Sequence, residues 1–176
     1  MSYNRINADL KSDYIALVTR ARSLVQNNET VNSYINLMLR SVLGNTGFIL
    51  NCTAYNDDGT SDRIANQQIE NLWYEYNKSY KKFVSADCQQ NGLDFDRQVL
   101  FTYLVDGEVF IRKIRDSKSK FGIRFEVIDS LDIDTLYNAD LGNGEKICMG
   151  IKVDQHYKPL SYFVRKNRNI DYYTAG

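Results

Sequence analysis

The sequence predicts an α+β fold, with helices in the N-terminal half packed on antiparallel β hairpins in the C-terminal half. Apolar residues recur at three- and four-residue spacing in several runs between residues 12 and 104, the period of amphipathic helices. From residue 108 onward, short runs that alternate in residue type flank turn-like segments, as in hairpins. Helices that come first and strands that come later argue against a parallel doubly wound sheet.

Two amphipathic helices are predicted near the start of the chain. Residues 12–27 carry apolar positions at helical spacing behind Ser12, which can cap the first turn. The Asn27-Asn28 pair interrupts this pattern, and a second periodic run over residues 31–42 ends at Gly44, a good left-handed C-terminal cap. We expect a helical hairpin or a kinked pair.

A strand, a turn and two further helices are predicted next. Alternation over residues 48–52 suggests a strand, and residues 56–59 (Asn-Asp-Asp-Gly) are a strong turn signal. A third helix over residues 61–84 carries Trp73 and other aromatic side chains, including Tyr80 and Phe83, on one broad face, which makes it the expected organiser of the core. A shorter fourth helix, over residues 95–104, is closed by Gly107.

Two antiparallel hairpins complete the prediction. The first hairpin has strand-like runs at residues 108–115 and 122–128, with a turn-like segment at 117–120 between them. The second has strand-like runs at residues 146–153 and 160–164, which flank a turn-like segment at 154–159. Residues 129–136 are expected to make one helical turn, and the Gly- and Asn-rich residues 138–145 a loop. No repeat, low-complexity tract or flexible linker appears, so residues 1–176 are expected to form a single domain.

Composition excludes some classes of partner and compartment. Lys and Arg total 22 and Asp and Glu total 22, so no overall charge attracts the chain to nucleic acid, a membrane or an acidic partner. Cys52, Cys88 and Cys148 are an odd number without metal-binding or redox spacing, which predicts reduced thiols. Neither a signal peptide nor a run of about 20 apolar residues is visible, so we expect a soluble protein.

Motifs for catalysis, cofactors or metals are weak. Residues 44–47 (Gly-Asn-Thr-Gly) lack the Lys and the spacing of a phosphate-binding loop, and a helix cap explains them better. His156, the sole histidine, lies at an expected hairpin tip, where a solvated turn residue is the favoured interpretation. The carboxylates Asp129, Asp132 and Asp134 lack the glycine and glutamate of a calcium loop. We therefore predict no cofactor, no metal and no catalytic residue.

Basic residues gather locally on the first predicted hairpin. The candidate contacts with DNA or a protein partner are Arg112, Lys113, Arg115, Lys118, Lys120 and Arg124. Such a cluster can neutralise phosphates in a salt-dependent way. Because neighbouring residues of a strand point to opposite faces, Arg112 and Lys113 are not expected to share one patch, and a solvated sheet face is the favoured alternative.

The order of these elements resembles the N-terminal part of portal proteins of tailed phages, lambda type. The segments that carry the resemblance are residues 20–23 (Arg-Ala-Arg-Ser), 42–47, the pair Trp73 and Tyr76, residues 87–88, 106–110, 125–129, 150–154 and 159–164. Tyr76 stands where a second Trp is more usual, and residues 87–88 read Asp-Cys where the family tends to Cys-Asp. The resemblance covers most of residues 17–164.

The resemblance implies a structural role without catalysis. Portal proteins form a ring, usually of twelve subunits, at one capsid vertex, and the genome is packaged and ejected through its channel. The implied partners are other copies of the protein, the major capsid protein, the terminase, head-completion proteins and double-stranded phage DNA, with no membrane. The implied location is the virion, and the host cytoplasm during assembly. This chain is expected to be the wing, ending before the stem and clip.

Two other functions remain open at this point. A nucleic-acid-binding module would use the basic hairpin of residues 112–124, and its retention on DNA would weaken steeply with salt. A hydrolase would need two carboxyl groups that face one pocket, and the sequence leaves the distances between its carboxylates open.

Overall fold

The structure is a computed structural model that describes residues 6–78 and 82–165, with side chains from residue 13 onward. It has four helices in the N-terminal half and antiparallel strands in the C-terminal half, which confirms the α+β class. Contacts group the chain into two compact units, one of residues 1–23 and 129–176 and the other of residues 24–128. Within the described ranges, no helix has the length and apolarity that crossing a membrane requires.

The first two helices are α1 (Ile6–Asn27) and α2 (Glu29–Leu43). Asn28 separates them, because its side-chain oxygen accepts a hydrogen bond from the Val31 amide at 3.1 Å and so caps α2. Gly44 ends α2 as predicted, with its N–H donating to the Arg40 carbonyl at 2.9 Å. Its φ of 58° with a ψ of −148° lies outside the left-handed helical region, so that detail of the prediction was wrong.

The strand predicted at residues 48–52 is not formed. The backbone N–H of Cys52 donates to the Glu70 carboxylate at 2.9 Å, and that of Ala54 donates to the Asn66 side chain at 2.6 Å. Helix side chains therefore take the hydrogen bonds that a neighbouring strand would otherwise make. The turn predicted at residues 56–59 is confirmed, since the Gly59 N–H donates to the Asn56 carbonyl at 2.9 Å.

The third helix is α3 (Arg63–Lys78), shorter than predicted. Its predicted extension to residue 84 was wrong, because Lys82 has a φ of 50°, which a helix does not allow. The Val84 carbonyl instead accepts a hydrogen bond from the Phe125 N–H at 2.8 Å. Phe83 is buried, but it follows the helix instead of lying on it. Tyr80 lies outside the described residues.

The fourth helix, α4 (Gly92–Asp106), packs on both α2 and α3. The side chain of Asn91 caps it, and Gly107, in the left-handed conformation with a φ of 82°, ends it as predicted. At its start the close approach to α3 requires a glycine. A Cβ on Gly92 would lie 2.2 Å from the side-chain oxygen of Asn77.

The first hairpin, β1 (Phe110–Arg115) and β2 (Ile123–Ile128), is antiparallel as predicted. Residues 84–86 run along the other edge of β2, with the Ala86 N–H donating to the Phe125 carbonyl at 2.8 Å. The buried apolar side chains of the unit of residues 24–128 come from its helices, from residues 83–84 and from β2. They are Val25, Ile35, Leu43, Phe83, Val84, Phe95, Val105 and Ile128.

The other unit holds a four-stranded antiparallel sheet in the order β3 (Ala139–Gly142), β4 (Glu145–Cys148), β5 (Ile151–Val153) and β6 (Pro159–Tyr162). The prediction of one strand over residues 146–153 was wrong, because Met149 and Gly150 have φ angles of 49° and 75° and reverse the chain. The loop predicted at residues 138–145 contains β3 and a tight turn at Asn143 and Gly144. The predicted helical turn is confirmed as a 3₁₀ turn at Ser130–Asp132.

Candidate functional site

The basic hairpin has its cations on two faces. The register places Arg112 opposite Glu126, Lys113 opposite Phe125, and Ile114 opposite Arg124. Because residues directly opposite in an antiparallel pair share a face, Arg112 and Arg124 lie on one face of the hairpin and Lys113 lies on the other. The six basic residues therefore do not form one continuous patch.

Arg124 is a structural side chain of this hairpin. Its Nε donates to the Asp116 carboxylate at 2.7 Å, and its Nη1 donates to the carbonyls of Lys82, Phe83 and Ser85, each at 3.2 Å. The side chain is only 11% exposed. Its hydrogen bond holds the pKa of Asp116 below the ordinary aspartate value. Arg124 thus joins β2 to the segment before α4 and offers no free charge to a partner.

Two more of the predicted basic residues are also paired with carboxylates. Arg112 forms an ion pair with Glu126 across the hairpin. The ammonium of Lys120 lies 2.6 Å from both carboxylate oxygens of Glu75 on α3. Neither Arg112 nor Lys120 is therefore an uncompensated positive charge.

The remaining three basic residues are Lys113, Arg115 and Lys118. All three are exposed, and none makes an ion pair within residues 6–78 and 82–165. Lys113 and Arg115 alternate along β1, and Lys118 lies in the turn that follows. They are the part of the predicted cluster that is open to a phosphate or an acidic side chain.

The other candidates from the sequence lie apart from one another. His156 is exposed in the turn between β5 and β6, and its backbone N–H donates to the Asp154 carboxylate at 2.7 Å. Asp129 is paired with Arg22, and Asp134 lies 3.5 Å from Arg165. The described parts of the chain contain no group of three or more His, Cys, Asp or Glu side chains that could hold a metal ion.

A large apolar surface surrounds the chain's single tryptophan. We call it the Trp73 surface and define it as Phe48, Ile49, Ile69, Leu72, Trp73 and Tyr74, all of them exposed. Two cavities of about 250 Å³ open on it, and Leu50 and Trp73 line both. The prediction that this helix organises the core was wrong, because α3 has no buried residue. The aromatic stripe seen in the sequence was the signal, but it marks a surface.

Residues 46–48, which lead into the Trp73 surface at Phe48, are held by side chains of α3 and α4. The Lys78 ammonium donates to the Thr46 carbonyl, and the Phe48 N–H donates to the Asp96 carboxylate. Burial raises the pKa of Asp96 above the ordinary aspartate value. A Cβ on Gly47, which has a φ of 67°, would lie 3.3 Å from the Leu93 side chain. Residues 46–48 therefore have a fixed path across the two helices.

Comparison with known proteins gives the family to which the chain belongs. The model of the family described as "Phage portal protein, lambda family" matches residues 2–176. The chain belongs to that family, which is one of structural proteins and not of enzymes. It is also similar to the probable portal protein of Halomonas phage phiHAP-1, with 27% identity over 163 residues. That match covers 90% of this chain and 30% of the relative, so the chain spans about a third of the relative's length.

Proposed function

We propose that this chain is the N-terminal wing of a portal subunit, a structural component of the ring at one capsid vertex. The observation that carries the proposal is the match to the portal family over residues 2–176. The phage genome is packaged and ejected through the channel of that ring, and the wing contributes contacts, not catalysis. In this proposal residues 1–176 form one structural domain that is built from the two compact units.

The exposed surfaces of the chain support an assembly role. Large apolar side chains remain in contact with solvent on several elements, among them Leu37 on α2, Ile49 before α3 and Tyr74 on α3. Ile49 and Tyr74 line one cavity of the Trp73 surface, and contiguous exposed apolar area is typical of protein interaction sites. The partners that follow from the proposal are other copies of the subunit, the major capsid protein, the terminase, head-completion proteins and the DNA in the channel. The location that follows is the virion.

Sedimentation of the longer portal protein tests this proposal. We expect one closed species whose mass is a fixed multiple of the subunit, about twelve by the resemblance, because a heterologous contact that closes produces a ring of defined size. A protein that sediments as a monomer over the whole soluble concentration range would contradict a ring-forming role.

We also propose contact of the basic hairpin with DNA or an acidic partner, on the evidence of Lys113, Arg115 and Lys118. These three cations are exposed and unpaired within the described chain, whereas Arg112, Lys120 and Arg124 are neutralised by carboxylates. Three phosphate contacts give a log–log salt slope of about −2.7 on double-stranded DNA. We expect a triple Gln variant at the three exposed positions to abolish retention on DNA. A triple variant with unchanged retention would refute the contact.

A further inference from the structure

We propose that the Trp73 surface is covered by a second copy of this chain, and that the contacting element of that copy is the outer side of α2 with Tyr34 and Leu37. The inference rests on the proposed portal function and assigns surfaces to one subunit contact. Both surfaces belong to the unit of residues 24–128.

The Trp73 surface has the size of a stable interface. Phe48, Trp73 and Tyr74 are 59%, 38% and 67% exposed, which leaves roughly 250–400 Å² of ring surface in solvent if a full aromatic side chain covers about 150–250 Å². A standard interface removes about 800 Å² per partner, of which about 450 Å² is apolar. Ile49, Ile69 and Leu72 add to the aromatic area, so the Trp73 surface, which includes residues before α3 and on more than one side of that helix, approaches that amount.

The surface is held in its conformation before any partner binds. The Phe48 N–H is bonded to Asp96, and the Cys52 N–H donates to Glu70 at 2.9 Å. The Lys78 ammonium is bonded to the Thr46 carbonyl on the same side. Because these hydrogen bonds already order residues 46–52, little conformational entropy is lost when the apolar side chains are covered.

The charges near the surface favour a protein partner that is not strongly charged. Lys78 lines one of the two cavities, and its ammonium is engaged by the Thr46 carbonyl. Lys120 is paired with Glu75. Lys78 also interacts electrostatically with the Asp96 carboxylate, so among the described residues each of these two lysines has an acidic neighbour. The chain has 22 basic and 22 acidic residues, so two copies do not repel each other through net charge.

A second apolar surface lies on α2. Tyr34 and Leu37 are 57% and 60% exposed, whereas Ile35 and Leu43 are buried against the same unit. Helical spacing places Leu37 on the side of α2 away from Leu43. Two different surfaces on one unit form a heterologous contact, which can repeat from copy to copy and close into a ring.

Two single variants and their mixture test the assignment. Ile49→Asp disrupts only the Trp73 surface, and Leu37→Asp disrupts only the α2 surface. Both positions are mostly exposed, at 79% and 60%, so the fold is retained, which circular dichroism checks. We expect the unmodified chain to associate with a blue shift of Trp73 emission, and each variant to associate about tenfold more weakly or worse. Leu136→Asp, at a position 69% exposed in the other unit, is the matched control.

The mixture distinguishes this contact from others. In an equimolar mixture, the Leu37→Asp copy still offers an intact Trp73 surface and the Ile49→Asp copy an intact α2 surface. Heterodimers are therefore expected at concentrations at which neither variant associates with itself. A mixture that behaves as the sum of its parts, an unmodified chain whose Trp73 emission stays unchanged up to about 1 mM, or an equal effect of Leu136→Asp would overturn the proposal. If the longer portal protein formed rings equally well with Ile49→Asp, the subunit contact would have to lie on another surface. The proposed portal function would still stand. Absence of rings from the unmodified longer protein would instead remove the portal function.

Discussion

Arg22 and Asp129 are joined by two parallel hydrogen bonds, although they lie 107 positions apart in the sequence. The Nη2–Oδ1 and Nη1–Oδ2 distances are 2.7 and 3.0 Å, and Nη2 also lies 3.3 Å from the hydroxyl of the fully buried Ser130. This two-pronged geometry is specific to arginine and gives the stronger kind of ion pair. The Arg-Ser-rich segment of α1 thus has a structural role, which is to hold the 3₁₀ turn that precedes the four-stranded sheet.

Replacement of Arg22 tests this role. Arg22→Gln is expected to lower the free energy of unfolding by about 1 kcal/mol, since the pair is partly exposed but bidentate. Amide exchange at Leu131, whose N–H donates to Asp129 at 2.9 Å, is expected to accelerate. Arg20→Gln, two residues away and exposed, is the control and should change neither quantity. Equal effects of the two variants would show that the pair contributes nothing specific.

The contact between Gly92 and Asn77 predicts a coupled pair of variants. Gly92→Ala places a methyl group 2.2 Å from Asn77 Oδ1 and 2.8 Å from its Cβ, so α3 and α4 must separate. We expect a loss of about 1–3 kcal/mol in the free energy of unfolding. Asn77→Ala removes the nearer clash and keeps the Cβ, so the double variant should recover part of that loss. Strictly additive effects in chemical denaturation would contradict the contact.

The Arg124–Asp116 pair predicts a defined pH dependence. The lowered pKa of Asp116 means that its ionised form is stabilised in the folded state. The contribution to stability is therefore complete above the unfolded aspartate pKa, about 3.9, and is lost as the pH falls through the lower folded value. In Arg124→Gln we expect the Asp116 pKa, followed by NMR titration, to rise toward its ordinary value. Arg115→Gln, which removes an exposed neighbouring cation, should leave the Asp116 titration nearly unchanged.

The attachment of residues 52–54 to α3 predicts local protection from exchange. Asn66 accepts from the Ala54 N–H at 2.6 Å and returns a bond to the Ala54 carbonyl at 3.3 Å. Asn66→Ala removes both bonds and is expected to lower the local opening free energy at Ala54 by about 1–3 kcal/mol, measured by hydrogen exchange. Gln67→Ala changes the exposed neighbour and should leave exchange at Ala54 as it was. Unchanged protection in Asn66→Ala would mean that other contacts hold the segment.

The sequence predicted the elements whose ends are encoded locally. Gly107 ends α4, and a glycine after a helical run is a local signal for such an end. The hairpin of β1 and β2 was predictable because residues that alternate in type flank a short turn-like segment. The turn at Met149 was missed because a non-glycine residue adopts a φ of 49° there, which the residue type does not indicate. Residues 48–52 alternate as a strand does, but their hydrogen-bond partners are side chains of α3, and a period of two cannot identify the partner.

The candidate site was predictable only as a set of residue types. The six basic residues are close in sequence, yet Glu75 and the strand register decide which of them keep an open charge, and both are consequences of tertiary packing. Trp73 was recognised as part of an aromatic stripe. Whether such a stripe is buried or exposed depends on which elements cover it, and the amphipathic period is the same in both cases.

Electron-microscope images of the longer portal protein test the central claim most directly. We expect closed rings of uniform size with an axial channel. Rings are expected to be lost in the Ile49→Asp variant and retained in Leu136→Asp. Images that show only separate monomers or open filaments of the unmodified protein, at every concentration at which it stays soluble, would contradict the claim that this chain belongs to a ring-forming portal subunit.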